Sequence, residues 1–144
     1  MRSRRAGSEQ GFTLIELLVV SLIIGVLAAI VIPSFVNQKG KANDASAKEL
    51  ARTAQTTAEA YAAGNNGIYS GLDATKLNEL EKTIPIAVST TQAYLSAASS
   101  AASSEYAVTA TSPTTSDTFT VTSKNGVVTR SCAGTGGGCN GGTW

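Results

Sequence analysis

Twenty-two consecutive residues, from Leu17 to Gln38, carry no charged side chain. At about 1.5 Å per residue, a helix of this length measures ~33 Å, enough to cross the hydrocarbon core of a bilayer. Arg2, Arg4 and Arg5 precede the run, and a long polar sequence follows it. Because basic residues stay on the cytoplasmic side of a membrane, the pattern predicts a single span with its N-terminus inside.

Helical periodicity continues beyond the uncharged run. Apolar residues form one helical stripe, at spacings of 3, 1, 3, 4 and 3: Ala47, Leu50, Ala51, Ala54, Ala58 and Tyr61. A polar stripe lies opposite, at Lys48, Arg52, Gln55 and Glu59. Asp44 stands four residues before Lys48, the favourable order for a helical ion pair. The glycines and asparagines of residues 64–67 end the pattern. One nearly continuous helix over residues 12–63 is therefore expected, with a membrane-grade part at 12–36 and an amphipathic part at 37–63.

The C-terminal third has the period-2 alternation of β-strands. Strands are expected near residues 105–111, 117–124 and 127–132, with Asn125-Gly126 as a hairpin turn. Residues 64–104 are expected to form an αβ loop with a short helix capped by Asp73, and 89–104 carries no clear signal. The predicted fold class is α+β: a long N-terminal helix packed on an antiparallel sheet of at least three strands, within a globular head of residues 64–144.

Composition argues against a catalytic or metal-binding role. The chain has no histidine, a formal net charge of +1 and two cysteines. Without histidine it lacks the commonest general base and metal ligand, so no enzyme activity, cofactor or metal is expected. The charge indicates no nucleic-acid partner, although a local Lys/Arg patch is compatible with one. On an exported chain, two close cysteines favour a disulfide between Cys132 and Cys139.

An acid stands at the start of the apolar segment. The sequence around it is QGFTLIE, with Gly11 before Phe12 and Glu16 four residues after Phe12. A charge inside a membrane segment costs a few kcal/mol unless it lies at the wet interface or finds a cationic partner. Cleavage after Gly11 would create such a partner, since the new α-amino group has a reference pKa of about 7.7–8.0. This amine is able to pair with Glu16 of its own chain or with Glu16 of a neighbouring subunit, and a pair between subunits would fix their axial register.

The segment QGFTLIELLVVSLIIGVLAAIVIPSF resembles the processing site and N-terminal helix of type IV pilins, a family that includes pseudopilins. The resemblance implies that residues 1–11 are a leader, that a prepilin peptidase cleaves between Gly11 and Phe12, and that Phe12 is N-methylated. It also implies that Glu16 registers the subunit during assembly. The end of the chain, residues 132–139, resembles the C-terminal disulfide region of some pilins.

The resemblance further implies what the protein does and where. The expected product is a helical homo-oligomeric filament, built with a membrane assembly platform and serving adhesion, motility or DNA uptake. The subunit is expected in the lipid of the cytoplasmic membrane before assembly and in an extracellular pilus afterwards. A pseudopilin of a type II secretion-like or competence system is the alternative within the family.

Small residues and one proline recur every fourth position in the span: Ser21, Gly25, Ala29 and Pro33. Such spacing lets helices approach closely and predicts the packing seam of the filament core. Pro33 removes a backbone donor, so the helix is expected to loosen near Ala29–Pro33.

Two readings outside the family remain open on the sequence alone. The first is a secreted protein whose first 30 or so residues are a signal peptide. The length of the apolar stretch and the acid at its start argue against it. The second is a single-pass anchored domain that never polymerises, which leaves Glu16 without a role.

Overall fold

A computed structural model describes residues 11–144, so the predicted leader lies outside the described residues except for Gly11. The chain begins with a 51-residue α-helix, α1 (Leu14–Gly64). Its C-terminal end is formed as the sequence predicts. The amide of Gly67 donates to the Ala62 carbonyl, and Asn66 and Gly67 both take positive φ angles of 54° and 79°. These are the features of a glycine-terminated helix.

A second, short helix, α2 (Ala74–Leu80), follows a turn. Asp73 caps it, because its carboxylate accepts a hydrogen bond of 2.8 Å from the Lys76 amide. Leu77 is the buried residue of this helix. The short helix expected after Asp73 is therefore present.

Four antiparallel strands form one sheet in sequence order: β1 (Tyr94–Ala102), β2 (Glu105–Thr111), β3 (Thr118–Lys124) and β4 (Val127–Ala133). Strands β2, β3 and β4 match the predicted strands to within one residue at each end. Asn125 and Gly126 connect β3 to β4 with φ angles of 50° and 81°, as a tight hairpin turn requires. The expected α+β fold is confirmed.

Strand β1 corrects the prediction that residues 64–104 form a loop. Its sequence, YLSAASSAA, has neither alternation nor β-branched side chains, so its composition gives no strand signal. Pairing with β2 stabilises it instead, over a register that is shifted between Leu95 and Ala97 and between Ser99 and Ala102. Leu95 is the large side chain that anchors it in the core.

Two compact units make up the described residues, divided between Phe35 and Val36. The second unit contains the hydrophobic core, in which the alanine stripe of α1 packs with the inner faces of the strands. Ala47, Ala51, Ala54 and Ala58 are fully buried, and Tyr106 and Phe119 are the largest buried side chains from the sheet. Since alanine adds only a methyl group, the stripe lets the helix lie close to the sheet.

A larger side chain within the stripe should destabilise this unit. We expect Ala54→Leu to lower the free energy of unfolding by about 1–3 kcal/mol, because no space exists for three more carbons. Ala60→Leu is the matched control, since Ala60 lies on the exposed face of the same helix. Urea unfolding of the detergent-solubilised chain measures both, and equal midpoints would show that the stripe is not tightly packed.

Candidate functional site: an uncovered apolar helix and a braced head

Thr13 caps the N-terminus of α1. Its hydroxyl accepts a hydrogen bond of 3.3 Å from the Glu16 amide. Thr13 and Glu16 are three residues apart, the spacing of a capping box, and an acid in the first turn also suits the helix dipole. The Thr13 cap thus satisfies the backbone amide of Glu16, and the signature Thr-x-x-Glu could have predicted this cap.

The apolar part of α1 has nothing covering it in the single chain. Every large apolar side chain from Phe12 to Val36 is at least 45% exposed. By length and composition this part of the helix can cross a membrane. A helix that is apolar on all sides is stable only inside lipid or among other helices. Its uncovered surface is therefore the main candidate for a functional site.

The predicted processing and registry residues lie at the start of this surface. Gly11 and Phe12 precede the helix and are exposed, and Glu16 is exposed on its first turn. Within residues 11–144, Glu16 forms no ion pair. The expected pair with the Phe12 α-amino group needs a free amine, which exists only after cleavage, so this pair stays a prediction.

The residues of the predicted packing seam, Ser21, Gly25, Ala29 and Pro33, all lie within α1. The Ser21 hydroxyl donates to the Leu18 carbonyl at 2.9 Å, which satisfies it within the helix. A side chain at Gly25 would meet no atom within 4 Å. The helix continues through Ala29 and Pro33 without interruption. Loosening of the helix near Ala29–Pro33 stays a prediction.

Glu59 braces one end of the head. Its carboxylate accepts hydrogen bonds from the Tyr69 hydroxyl at 2.5 Å and from the Tyr106 hydroxyl at 2.8 Å. The two rings also contact each other, with centroids 4.7 Å apart. Burial, followed by the hydrogen bond to Glu59, raises the pKa of Tyr69 to about 12 and raises that of Tyr106 further. Glu59 was predicted on the polar stripe, and the structure gives it this bracing role.

Two buried carboxylates, Asp44 and Asp117, brace the other end. Asp44 accepts from the Thr115 hydroxyl at 2.5 Å and the Gly138 amide at 3.0 Å. Asp117 accepts from the amides of Thr135 and Gly136 at 3.0 and 2.8 Å. The predicted ion pair between Asp44 and Lys48 is wrong, because the sheet loops enclose Asp44 on the buried face of α1.

Glycine is required where the loop of residues 134–138 contacts Asp44 and Thr115. A Cβ atom at Gly138 would collide with the Asp44 side chain, and one at Gly136 would collide with Thr115. The run of glycines at residues 134–138 is therefore a closely packed segment around two carboxylates.

The same loop is closed by a disulfide between Cys132 and Cys139, with Cα atoms 5.5 Å apart. Trp144 lies beside it. The indole N–H donates to the Ser131 carbonyl at 2.9 Å, and the ring meets Phe119 edge-on. The guanidinium groups of Arg52 and Arg130 lie 5.5 and 5.4 Å from the Trp144 ring centroid, within the range of cation–π attraction.

Removing the Asp117 carboxylate should release the loop. Asp117→Ala leaves the Thr135 and Gly136 amides without an acceptor, so we expect a loss of about 1–3 kcal/mol in the free energy of unfolding. Glu49→Ala is the control: it removes only the exposed ion pair with Arg52, at a cost below about 1 kcal/mol. Chemical denaturation compares the two variants. Similar small losses would contradict the bracing role of Asp117.

Alkaline pH should weaken the Glu59 brace. The folded chain binds the protons of Tyr69 and Tyr106 more tightly than the unfolded chain, whose tyrosines ionise near pH 10. The resulting stabilisation is complete below about pH 10 and is lost as the pH rises towards about 12. Denaturant titrations across this range should therefore show falling stability.

A double variant isolates the contribution of these two tyrosines to the alkaline effect. Tyr69→Phe combined with Tyr106→Phe should flatten the fall. Tyr94→Phe leaves both hydrogen bonds to Glu59 in place, so this control variant should lose stability at alkaline pH as the unchanged chain does. An undiminished fall in the double variant would assign the effect to other groups.

The N-terminal segment also connects this chain with known proteins. Residues 7–32 match the family described as the prokaryotic N-terminal methylation motif. The type IV major pilin protein PilA of Myxococcus xanthus is 39% identical over 59 residues, which are 41% of this chain and 27% of that protein. The type II secretion system core protein G of Escherichia coli is 48% identical over 40 residues, 28% of each chain.

A third relative is matched over more of its length. The competence protein ComGC of Halalkalibacterium halodurans is 31% identical over 68 residues, which are 47% of this chain and 67% of that protein. No solved structure matches the chain. The methylation motif, the relatives that share it, and the long apolar helix packed on an antiparallel sheet agree on one assignment: this chain belongs to the type IV pilin family.

Proposed function

We propose that this protein is a structural subunit of a type IV pilus. Cleavage between Gly11 and Phe12 removes residues 1–11, and Phe12 is then N-methylated. Residues 12–36 hold the subunit in the cytoplasmic membrane, N-terminus inside, until it joins the filament. Residues 37–63 complete the helix, and the head of residues 64–144 is displayed outside the cell, including its disulfide loop at 132–139.

The observation that carries this proposal is the uncovered apolar surface of α1. In the single chain, side chains from Phe12 to Val36 are exposed, and the one acid among them is Glu16 in the first turn. Lipid covers this surface before assembly. In a filament, the same segments of other subunits replace the lipid, packing through Ser21, Gly25, Ala29 and Pro33.

Glu16 supplies the specificity of that exchange. Apolar side chains gain little by leaving lipid for other apolar helices, so a hydrophobic drive alone does not set the register. A carboxylate in this low-dielectric surrounding requires a cation, and the methylated α-amino group of Phe12 on a neighbouring subunit provides it. Pairing then fixes one axial position. Prepilin peptidase and a membrane assembly platform are the partners that this route requires.

A second candidate function is that of a pseudopilin in a secretion or competence system. Two of the relatives favour this function: one is a type II secretion system core protein and the other is a competence protein. Both are similar to this chain in its N-terminal part. Mass spectrometry of protein sheared from the cell surface distinguishes the two functions. Abundant sheared protein that starts at N-methylated Phe12 supports the pilus. The same mature chain confined to the cell envelope supports the pseudopilin.

Changing Glu16 tests the registry role directly. Glu16→Ala should leave membrane insertion and leader cleavage intact while reducing sheared filaments to background. Thr13→Ala is the matched control, because it removes the helix cap formed with the Glu16 amide but keeps the carboxylate. Immunoblots of membrane and sheared fractions report both steps. Normal filament yield from Glu16→Ala would overturn the registry role, and equal loss in both variants would assign the effect to capping.

Changing Gly11 tests the processing site. A bulky residue, as in Gly11→Leu, should block the peptidase and leave a membrane-bound chain that still carries residues 1–11. Intact-mass measurement of the membrane fraction distinguishes this precursor from the mature chain, and Ala6→Leu, within the leader, serves as the control. A shortened chain from Gly11→Leu would show that cleavage occurs elsewhere.

A further inference from the structure

A cleft of about 370 Å³ lies within the second compact unit, between the turn of α1 at residues 36–40 and two loops at one end of the sheet. One loop contributes Thr114 and Thr115, and the other contributes Thr135 and Gly136. At its base, α1 approaches the first loop closely, since a Cβ at Gly40 would lie 3.4 Å from the Thr115 methyl group. The proposed assembly route makes no use of this cleft.

The rim of the cleft is cationic. Lys39 lines it, and the Lys41 side chain lies against Gly137 in the neighbouring loop. Within residues 11–144 neither ammonium group forms an ion pair. The Thr114 oxygen accepts from the Asn43 amide at 2.7 Å, so its hydroxyl proton is available to a ligand. These donors suit a phosphate group.

Two acids lie behind the lining of the cleft, and both are already hydrogen-bonded. Asp44 and Asp117 are buried, and each carboxylate oxygen already accepts a hydrogen bond from the loops or from Thr115. Their negative charges oppose an anion in the cleft, and the hydrogen bonds that they accept reduce this effect. The positive charges beside the cleft are those of Lys39 and Lys41.

Position in the chain identifies the source of the phosphate. The helical residues of the cleft begin at Val36, directly after the last residue of the first unit, and Lys39 is the first charge after the uncharged run. At about 1.5 Å per residue, Lys39 and Lys41 lie within one to two turns of the apolar segment. In a membrane-held subunit they fall at the depth of the lipid headgroups.

We propose that the cleft binds the phosphate diester of a glycerophospholipid in the outer leaflet of the membrane, and this rests on the proposed membrane-held state of the subunit. Lys39, Lys41 and Thr114 contact the phosphate, and Val36 contacts the apolar part of the lipid next to the glycerol. One lipid thereby orients the head over the membrane. Entry into a filament requires its release.

Chemical-shift titration of the full chain tests this. The ¹⁵N-labelled protein is held in a maltoside detergent, which has no phosphate, and dihexanoyl phosphatidylglycerol is added. Saturable shifts are expected at Thr114, Thr115, Thr135 and Gly136. Parallel titrations use inorganic phosphate and uncharged dihexanoylglycerol, and only the phospholipid should give tight binding.

Paired variants distinguish binding in the cleft from general attraction between the protein's positive charge and the lipid. Lys39→Gln with Lys41→Gln should weaken binding about thirtyfold, since each lysine near the membrane surface contributes about 1 kcal/mol. Lys82→Gln with Lys124→Gln makes the same change in net charge at exposed positions outside the cleft and should alter binding less than about twofold. Asn37→Trp, which fills the cleft and keeps its charge, should abolish the shifts.

Each contrary result has a distinct meaning. Equal weakening in both lysine pairs, unchanged binding in Asn37→Trp, or shifts spread over the head would overturn the site. Binding of inorganic phosphate as tight as that of the phospholipid would overturn the lipid assignment. Filament yield is scored separately in sheared fractions. Filaments without localised lipid shifts overturn this inference alone, whereas localised shifts without filaments overturn the proposed function alone.

Discussion

A stripe of buried alanines, through which α1 packs on the sheet, determines where two polar braces, Asp44 and Glu59, lie. Ala47, Ala51, Ala54 and Ala58 bring the α1 backbone near the strands because their side chains are short. Asp44 lies before the stripe and Glu59 after it, so each carboxylate reaches loops or strands that larger side chains would hold away. Asp44 then meets the disulfide loop, and Glu59 meets two tyrosines. The buried charge of Asp44 is tolerated because its carboxylate accepts two hydrogen bonds.

The two parts of α1 satisfy different physical requirements with one backbone. From Ala47 onwards the helix has one apolar face, and the same chain covers it. Before Val36 it is apolar all round, and the described chain covers none of it. The first requirement is met by folding and the second only by lipid or by other subunits. A pilin-like role follows from that difference more directly than from any feature of the head.

Sequence reasoning predicted α1 almost to its ends, since an uncharged run and an alanine stripe are strong local signals. Three strands were also predicted, because their alternation and the Asn125-Gly126 turn are local. Strand β1 was not predicted, because its serines and alanines do not alternate with apolar residues and the strand depends on pairing with β2. The role of Asp44 was missed for a similar reason: its partner Gly138 is 94 residues away in the chain. Of the candidate site, the uncovered helix was predictable from local signals, whereas the braced loop and the cleft depend on contacts distant in sequence.

The order of the strands has a consequence for how the protein acquires its fold. Each strand pairs with its neighbour in the chain, β1 to β2, β2 to β3 and β3 to β4, so each pairing closes a connection of only a few residues. Such low contact order favours rapid folding. The contacts that span long stretches of chain, such as Asp44 with Gly138, join the helix to a sheet whose hairpins can already exist. The hairpins of the sheet can therefore form while the N-terminal helix is held in a membrane, and packing of α1 on the sheet then completes the fold.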